Sequence, residues 1–333
     1  MSRVTDATGA HAEKVERLRA ELGSLPSLAV ALSGGVDSSV LAHAAGKVLG
    51  RRALAVTAVS PSVSAEEIAV AEEVAGEAGI EHLKVETREL EDPRYARNDG
   101  NRCYFCKAEL FAVMERIARE REIAAIAYGA ITDDLRDFRP GARAASEFRV
   151  LAPLVAAGFA KEDVRRYARE AGLPNAGRPA SACLASRIPY GTFVTAEALA
   201  RVGALEARLR ALGYALVRVR HHGDLARIEV SPDRIEDAAI RDGGAILAAG
   251  RESGYSRVAI DLRGYRQGAM NEALAARPEQ GSEPPLPPDV AEESWPSVLL
   301  LRADVAAREE VLRRREEIAR LGRPFAALDL APG

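Results

Sequence analysis

Apolar and polar positions along the chain follow two different periods, and these predict the elements. Residues 11–23 carry the helical spacing of an amphipathic segment that ends at Gly23. Leu28 to Leu32 is a short apolar run of strand length, and a helical pattern follows from Gly35 to about Gly50. Ala53 to Val59 reads as a second buried strand. Ser64-Ala65-Glu66-Glu67 has the form of a capping box, opening a helix that stops near Gly79. Leu83 to Glu86 is a third strand, about Lys107 to Arg121 a helix, and Ile123 to Tyr128 a fourth strand. Strands alternating with helices of this length predict right-handed crossovers and a doubly wound parallel sheet. After Ala180 the pattern changes. Thr195 to Leu212 reads as a helix, and Ala215 to Arg220 and Ala226 to Val230 as strands joined through His221-His222-Gly223-Asp224. Ser231-Pro232 has the form of a helix start, and Arg257 to Leu262 that of a further strand. Residues 277–297, rich in Pro, Glu and Ser, read as an extended linker, and Arg302 to Leu321 as a charged helix. No internal repeat is evident. The expected organisation is an α/β domain over 1–180, a small α+β domain over 181–272, and a linker with a C-terminal helix of unknown role over 273–333.

Composition narrows the class. The 333 residues are 47% hydrophobic and 29% charged, an ordinary globular balance with enough apolar material for one large core or two modest ones. No apolar run reaches membrane-spanning length and no signal-peptide pattern opens the chain, so a cytoplasmic protein without membrane contact is expected. The net charge of −3 lacks the basic excess of a general nucleic-acid binder, so no nucleic-acid partner is expected.

Chemistry first becomes visible where the first strand ends, in Ala31-Leu32-Ser33-Gly34-Gly35-Val36-Asp37-Ser38-Ser39. A strand, a Gly-Gly turn and an immediate helix start offer unpaired backbone N–H groups and the positive end of a helix to an anion. Gly34 and Gly35 let backbone approach a phosphate, and Ser33, Ser38 and Ser39 add hydroxyls. The Lys-[Ser/Thr] of a Walker loop is missing. The plain structural alternative is a Gly-rich turn with Asp37 and Ser38 as caps. The string resembles the SGGxDS loop of the PP-loop ATP pyrophosphatases, which split ATP between its α- and β-phosphates and adenylate an oxygen of their substrate. That resemblance implies an adenine nucleotide alpha hydrolase-like sheet, with ATP and Mg²⁺ at this loop and Asp37 near the metal. The loop from Tyr128 through Gly129, Thr132, Asp133 and Asp134 follows a second strand end, where ligands of such sheets sit.

Three cysteines carry the next signal: Cys103 and Cys106 as a C-x-x-C, and Cys183 far downstream. An odd count rules out a complete set of disulfides. Three thiolates with one open position suit an iron–sulfur cluster with a free iron. Zinc, a redox C-x-x-C and separate buried thiols are the other readings.

Taken together, the motifs resemble the LarE family, PP-loop sulfur-inserting enzymes of nickel-pincer nucleotide synthesis. The matching pieces are SGGVDSS at Ser33, RCYFCK at Arg102, Thr132-Asp133-Asp134 with Asp137, Arg139-Pro140-Gly141, PASACLASRIPYG at Pro179 and VRVRHHGDLARIEV at Val217, within about residues 10–272. The resemblance implies that ATP adenylates a carboxylate of pyridinium-3,5-biscarboxylic acid mononucleotide and that sulfur then displaces AMP to give a thiocarboxylate. Members with all three cysteines look built for a 4Fe-4S cluster whose free iron holds the sulfide; members with only the third cysteine sacrifice its sulfur. Here the resemblance favours the cluster type, with Cys103, Cys106 and Cys183 as ligands and Cys183 as the sacrificial alternative. It also implies a homo-oligomer and other nickel-pincer enzymes as partners.

Strand alternation puts Arg218 and Arg220 on one face, able to clamp a phosphate or carboxylates. Arg187 with Ser186, Glu229 on the adjoining strand and Asp237 on the next helix complete the expected substrate site; a solvated face with ordinary ion pairs is the alternative. A PP-loop tRNA thiolase, an amide-forming PP-loop ligase and a nucleotide sensor are the competing functions. The first fits the PASACLASR string poorly, and the other two leave the cysteines without a role.

Overall fold

A computed structural model of the chain describes residues 2–136, 140–179, 182–266, 290–295, 298–303, 305–318 and 325–331. It divides into two compact units, Met1–Cys183 and Leu184–Gly333.

The first unit holds β1 (Leu28–Ala31), β2 (Ala53–Val59), β3 (Glu81–Glu86) and β4 (Ala125–Tyr128) in the order β3-β2-β1-β4, every pair parallel. Its helices are α1 (Ser2–Gly23), α2 (Val36–Leu49), α3 (Ala65–Ala78), α4 (Pro93–Ala96), α5 (Arg102–Glu120), α6 (Pro140–Glu147), α7 (Pro153–Ala156) and α8 (Lys161–Glu170). Strand alternation builds the layers. Leu28, Val30, Ala53 and Ala55 face a core shared with α1, α2, α3 and α8, while Ala29, Ala31, Leu54 and Val56 face a second core shared with α5 and α6. The expected doubly wound α/β sheet is thus present. The local signals at α3 hold as well: the Ser64 hydroxyl accepts from Glu67 N, the Glu67 carboxylate accepts from Ser64 N, and Gly79 takes the left-handed conformation that ends the helix.

One boundary differs in a way that matters. Helix α5 begins at Arg102, not near Lys107, so Cys103 and Cys106 lie in its first turn and a half and not in the loop before it. Asn98, buried with φ 58°, and Arg102, whose guanidinium donates to the Asn98 side chain, form the turn that starts the helix early.

In the second unit, α9 (Ala196–Ala211) starts at Thr195, whose hydroxyl accepts from Ala198 N at 3.1 Å. Then come β5 (Val217–His222), β6 (Leu225–Val230), α10 (Gly243–Glu252) and β7 (Arg257–Asp261). His221 and His222, read as turn residues, extend strand β5; the turn is Gly223-Asp224, with Gly223 at φ 67°. Ser231 makes no side-chain cap, but Pro232 opens a helical run as expected, a 3₁₀ turn (Pro232–Arg234) that continues into a π-helical turn (Asp237–Arg241). The C-terminal segment departs furthest from expectation. Val290–Trp295 (β8), within the expected linker, and Val298–Ala303 (β9) are strands, followed by α11 (Val305–Arg313), α12 (Arg315–Ile318) and a last strand, β10 (Phe325–Asp329). All six strands form one sheet in the order β5-β6-β7-β10-β9-β8. Each half is an antiparallel hairpin followed by a helical crossover to a parallel third strand, and the halves join through antiparallel β7 and β10. The topology therefore repeats although no repeat was evident in the sequence. The halves differ in what they carry: β5 and β6 hold Arg218, Arg220, Arg227 and Glu229, while β9 reads Val-Leu-Leu-Leu-Arg-Ala. The rest of the expected linker, and Asp137, Arg139, Ala180 and Ser181 of the family motifs, lie outside the described residues. Among the described residues no helix is long and apolar enough to cross a membrane.

Candidate functional site

The first unit places the Ser33 loop and the Gly129 loop at the carboxyl ends of β1 and β4. Chain order reverses between these two strands, so the loops flank the switch-point crevice of the sheet. The residues expected to bind ATP converge here. Gly34 stands at φ 79°, and a side chain on it would collide with the Glu67 carbonyl. A Cβ on Gly129 would lie 2.6 Å from Ser38 N and 2.7 Å from Ser38 Cα, so the β4 loop packs directly on the first turn of α2.

The loop's hydroxyls serve mostly its own shape. Ser38 Oγ donates to Gly35 O at 2.9 Å and lies 3.1 Å from Ser33 Oγ; Ser39 Oγ donates to Gly35 O at 3.0 Å and is fully buried. Thr132 donates to Phe159 O through both N and Oγ1, and Asp133 accepts from Lys161 N at 2.9 Å, which ties the β4 loop to the start of α8. Ser38, Ser39, Thr132 and Asp133 therefore act as braces, while the backbone of Gly34, Gly35 and Val36, with Asp37, lines the open cleft. Further cleft residues are Glu67, read only as a helix cap, Pro179 of the PASACLASR string, and Lys161, Asn175 and Arg178, which the sequence reading did not place in the site. Lys161 Nζ donates to both carboxylate oxygens of Asp37 at 2.8 Å. Asn175 Nδ2 donates to Gly34 O and to Ser39 Oγ, each at 2.8 Å, and so clamps the loop from 136 to 141 positions away in sequence.

The cysteines belong to the same unit. Cys103 and Cys106, three apart on α5, share a helix face; Cys103 is exposed, Cys106 and Cys183 are half-buried, and none is in a disulfide. Burial pushes the Cys106 thiol well up from its ordinary range, and the charges of Cys183, Glu89 and Cys103 push it further, against a smaller opposite effect of Arg102. The Tyr95 hydroxyl, 2.7 Å from Ser62 Oγ, is raised by burial and then by Cys183, with Cys106 and Glu89 adding to it. Cys183, Cys103 and the Glu89 carboxylate thus each lie within electrostatic reach of Cys106. Ser60 Oγ donates to Glu89 Oε1 at 2.5 Å, and Glu89 Oε2 is buried with no partner among the described residues. Two family motifs meet beside them: the Lys107 stem packs on Gly141, and its ammonium sits 4.6 Å from the centre of the Tyr128 ring at the end of β4. Among the described residues no three His, Cys, Asp or Glu side chains are close enough to hold a single metal ion. A cluster has its irons at separate corners, so its thiolates stand further apart than ligands of one ion, and three soft thiolates suit it.

The expected substrate residues lie in the second unit. Arg218 and Arg220 share a face of β5, and both are buried, which removes the solvated-face alternative. Arg220 Nη2 donates to Glu229 Oε2 at 2.7 Å and Nη1 to Ser186 O at 3.0 Å, bringing three of the expected residues together. The Arg218 guanidinium lies 5.3 Å from the centre of the Tyr265 ring, and burial and the charge of Arg187 lower its pKa. Arg187 is 1% exposed and makes a two-point ion pair with Glu206, at 2.8 and 3.1 Å, while its Nη1 donates to Ser186 Oγ. Glu206 also accepts from Arg210 and from Val219 N. A buried group the sequence reading did not single out, Arg227, binds Glu229 and Asp261 and lies 3.7 Å from the centre of the Phe325 ring. Asp237 pairs with Arg234 and Arg241 around its own short π-helical turn, each at 2.9 Å.

A parallel sheet with a Ser-Gly-Gly loop at its switch point, braced from the neighbouring strand's loop, defines a PP-loop nucleotide-using enzyme. Comparison with known proteins agrees: residues 16–98 match the asparagine synthase family. Over 264 residues the chain is 38% identical to the pyridinium-3,5-bisthiocarboxylic acid mononucleotide synthase of Lactiplantibacillus plantarum, covering 79% of this chain and 95% of that protein. An uncharacterised protein of Synechocystis is 42% identical over 265 residues, 78% of this chain and 98% of that one. An uncharacterised protein of Methanocaldococcus jannaschii is 27% identical over 237 residues, 71% and 90% of the two chains. The chain belongs to the LarE family of ATP-dependent sulfurtransferases.

Proposed function

We propose that this enzyme adenylates a carboxylate of pyridinium-3,5-biscarboxylic acid mononucleotide and converts it to a thiocarboxylate, with Cys103, Cys106 and Cys183 as ligands of a 4Fe-4S cluster. The observation that supports the choice of sulfur chemistry is that Cys183 and Cys103 both act electrostatically on Cys106, in the unit that also holds the nucleotide loop. Burial is the first cause of the raised Cys106 pKa and the charges of Cys183, Glu89 and Cys103 add to it, a cost that bound cations would remove. When bound, such a cluster would supply sulfide at its one iron without a protein ligand. The protein's own part is positional. The Gly34–Val36 backbone and the start of α2 would face the phosphates and Asp37 would hold Mg²⁺, while the substrate carboxylate attacks the α-phosphorus as pyrophosphate leaves. Sulfur then attacks the acyl carbon, AMP departs with the carboxylate oxygen, and the thiocarboxylate remains. The guanidiniums of Arg218 and Arg220 suit the phosphate and free carboxylate of the substrate, with Glu229 and Ser186 O holding Arg220 in place. The reading carries with it a homo-oligomeric cytoplasmic enzyme, as the family resemblance implies.

The test is anaerobic reconstitution followed by iron, sulfide and visible-absorption measurements on the parent and on each Cys→Ala variant. Loss of iron in all three variants is expected. Normal iron binding by Cys103→Ala would refute the three-ligand set, and dehydroalanine at Cys183 after turnover would establish the sacrificial route. Pyrophosphate release that depends on the pyridinium dicarboxylate nucleotide, and not on tRNA, checks the substrate.

A further inference from the structure

Asp37, the acidic residue of the nucleotide loop, has both carboxylate oxygens on Lys161 Nζ, at 2.8 Å each. An ammonium held in this way takes one lone-pair site on each oxygen, and its charge repels a second cation there. The backbone of Lys161 is fixed on both sides: its N–H donates to Asp133, and the preceding N–H, of Ala160, donates to Asp163, each at 2.9 Å. Only the side chain is left to move, and it is 31% exposed, against 29% for Asp37. The pair lines the cleft beside Gly34 and Gly35, where the phosphates of a nucleotide would lie. A second buried group points to a ligand there. Asn175, 1% exposed and lining the same cleft, has an Oδ1 with no partner among the described residues, an acceptor suited to a hydroxyl or metal-bound water brought in by the ligand.

We propose that Lys161 and the divalent cation compete for Asp37, so that the metal enters with the nucleotide and Lys161, displaced from Asp37, turns to the phosphates. This rests on the ATP reading above. The exchange conserves charge pairing: Asp37 trades an ammonium for a metal ion, and the ammonium trades one carboxylate for the more highly charged phosphate chain. Lys161 then neutralises charge developing on the departing pyrophosphate, and in the meantime it keeps free metal off Asp37.

The test uses full-length protein and Mn²⁺ as the probe, followed by electron paramagnetic resonance without nucleotide. Lys161→Met is expected to bind Mn²⁺ roughly 1.5- to fivefold more tightly than the parent, the worth of a part-exposed ion pair. Lys161→Arg is expected to keep the parent's weak Mn²⁺ binding, and Asp37→Asn to lose the gain when combined with Lys161→Met. Pyrophosphate release by Lys161→Met is expected to fall on the order of 100- to 1,000-fold. Lys161→Gln serves in place of the Met variant if the latter melts early. Equal Mn²⁺ affinity in parent and variant, or pyrophosphate release kept within a few-fold, overturns the proposal. A parent that neither binds ATP nor releases pyrophosphate overturns the ATP reading itself, whereas the nucleotide-free Mn²⁺ comparison judges the competition for Asp37 separately.

Discussion

Replacing Gly129 by Ala isolates how tightly the nucleotide loop is built. The added Cβ would stand 2.6 Å from Ser38 N, 2.7 Å from Ser38 Cα and 2.8 Å from the Asp37 carbonyl carbon. All three are backbone atoms in the first turn of α2, so no side chain can swing aside. Reaching ordinary contact at 3.4 Å requires the β4 loop and the α2 start to part by about 0.8 Å. Overpacking of this kind costs about 1–3 kcal/mol of stability. The functional loss should be larger in proportion, because displacing a reacting group by about 1 Å can cost on the order of 100-fold in rate. Gly76→Ala is the matched control: it lies inside α3, nothing is within 4 Å of its Cβ position, and the change should stabilise by about 0.4–1 kcal/mol. The assays are urea denaturation for stability and substrate-dependent pyrophosphate release for function. Gly129→Ala with unchanged urea midpoint and full activity would refute the close packing of the β4 loop on the α2 start.

Three other outcomes follow from the second unit. Glu206→Gln leaves the buried Arg187 guanidinium without its counter-charge and should cost about 3–5 kcal/mol in urea denaturation; a loss under about 1 kcal/mol would show that the pair breaks even with its neutral form. Burial, and next the charge of Arg227, hold His222 well below its ordinary value of 6.5. Below pH 6.5 the unfolded chain therefore takes up a proton that the folded chain does not. The stability from neutral His222 is complete above that pH and lost below it, by about 1.4 kcal/mol per pH unit; His222→Gln should flatten the fall in melting temperature from pH 7 to pH 5. Arg218→Ala should weaken binding of the mononucleotide by about 1.5–3 kcal/mol in calorimetry. Arg220→Ala should also lower the urea midpoint, because the buried Glu229 loses one of its two arginines. If Arg218→Ala leaves affinity unchanged, β5 is not the substrate clamp.

The features legible in the chain were those that local chemistry determines. Alternating apolar runs and helical stretches read as a doubly wound sheet because strand and helix periods are set within a few residues. The Ser64–Glu67 cap, the stop at Gly79 and the turn of the Ser-Gly-Gly loop are likewise local, since the partners that shape them lie within five positions. What tertiary structure decided was the set of partners distant in sequence. Helix α5 starts at Arg102 because Arg102 finds a buried partner in Asn98, a choice that periodicity does not carry. Val298 to Ala303 and Phe325 to Asp329 are strands because they pair with one another and with β7, a non-local gain that periodicity does not carry, while the charged stretch between them is helical, as it reads. Asn175 and Lys161 reach the loop from more than 120 positions away, and Glu206 claims Arg187 across 19, so their roles appear only when the sheets close. The residue types of this enzyme were written in its sequence; which carboxylate each arginine or lysine would meet was settled by burial, which makes an unpaired charge too costly to leave.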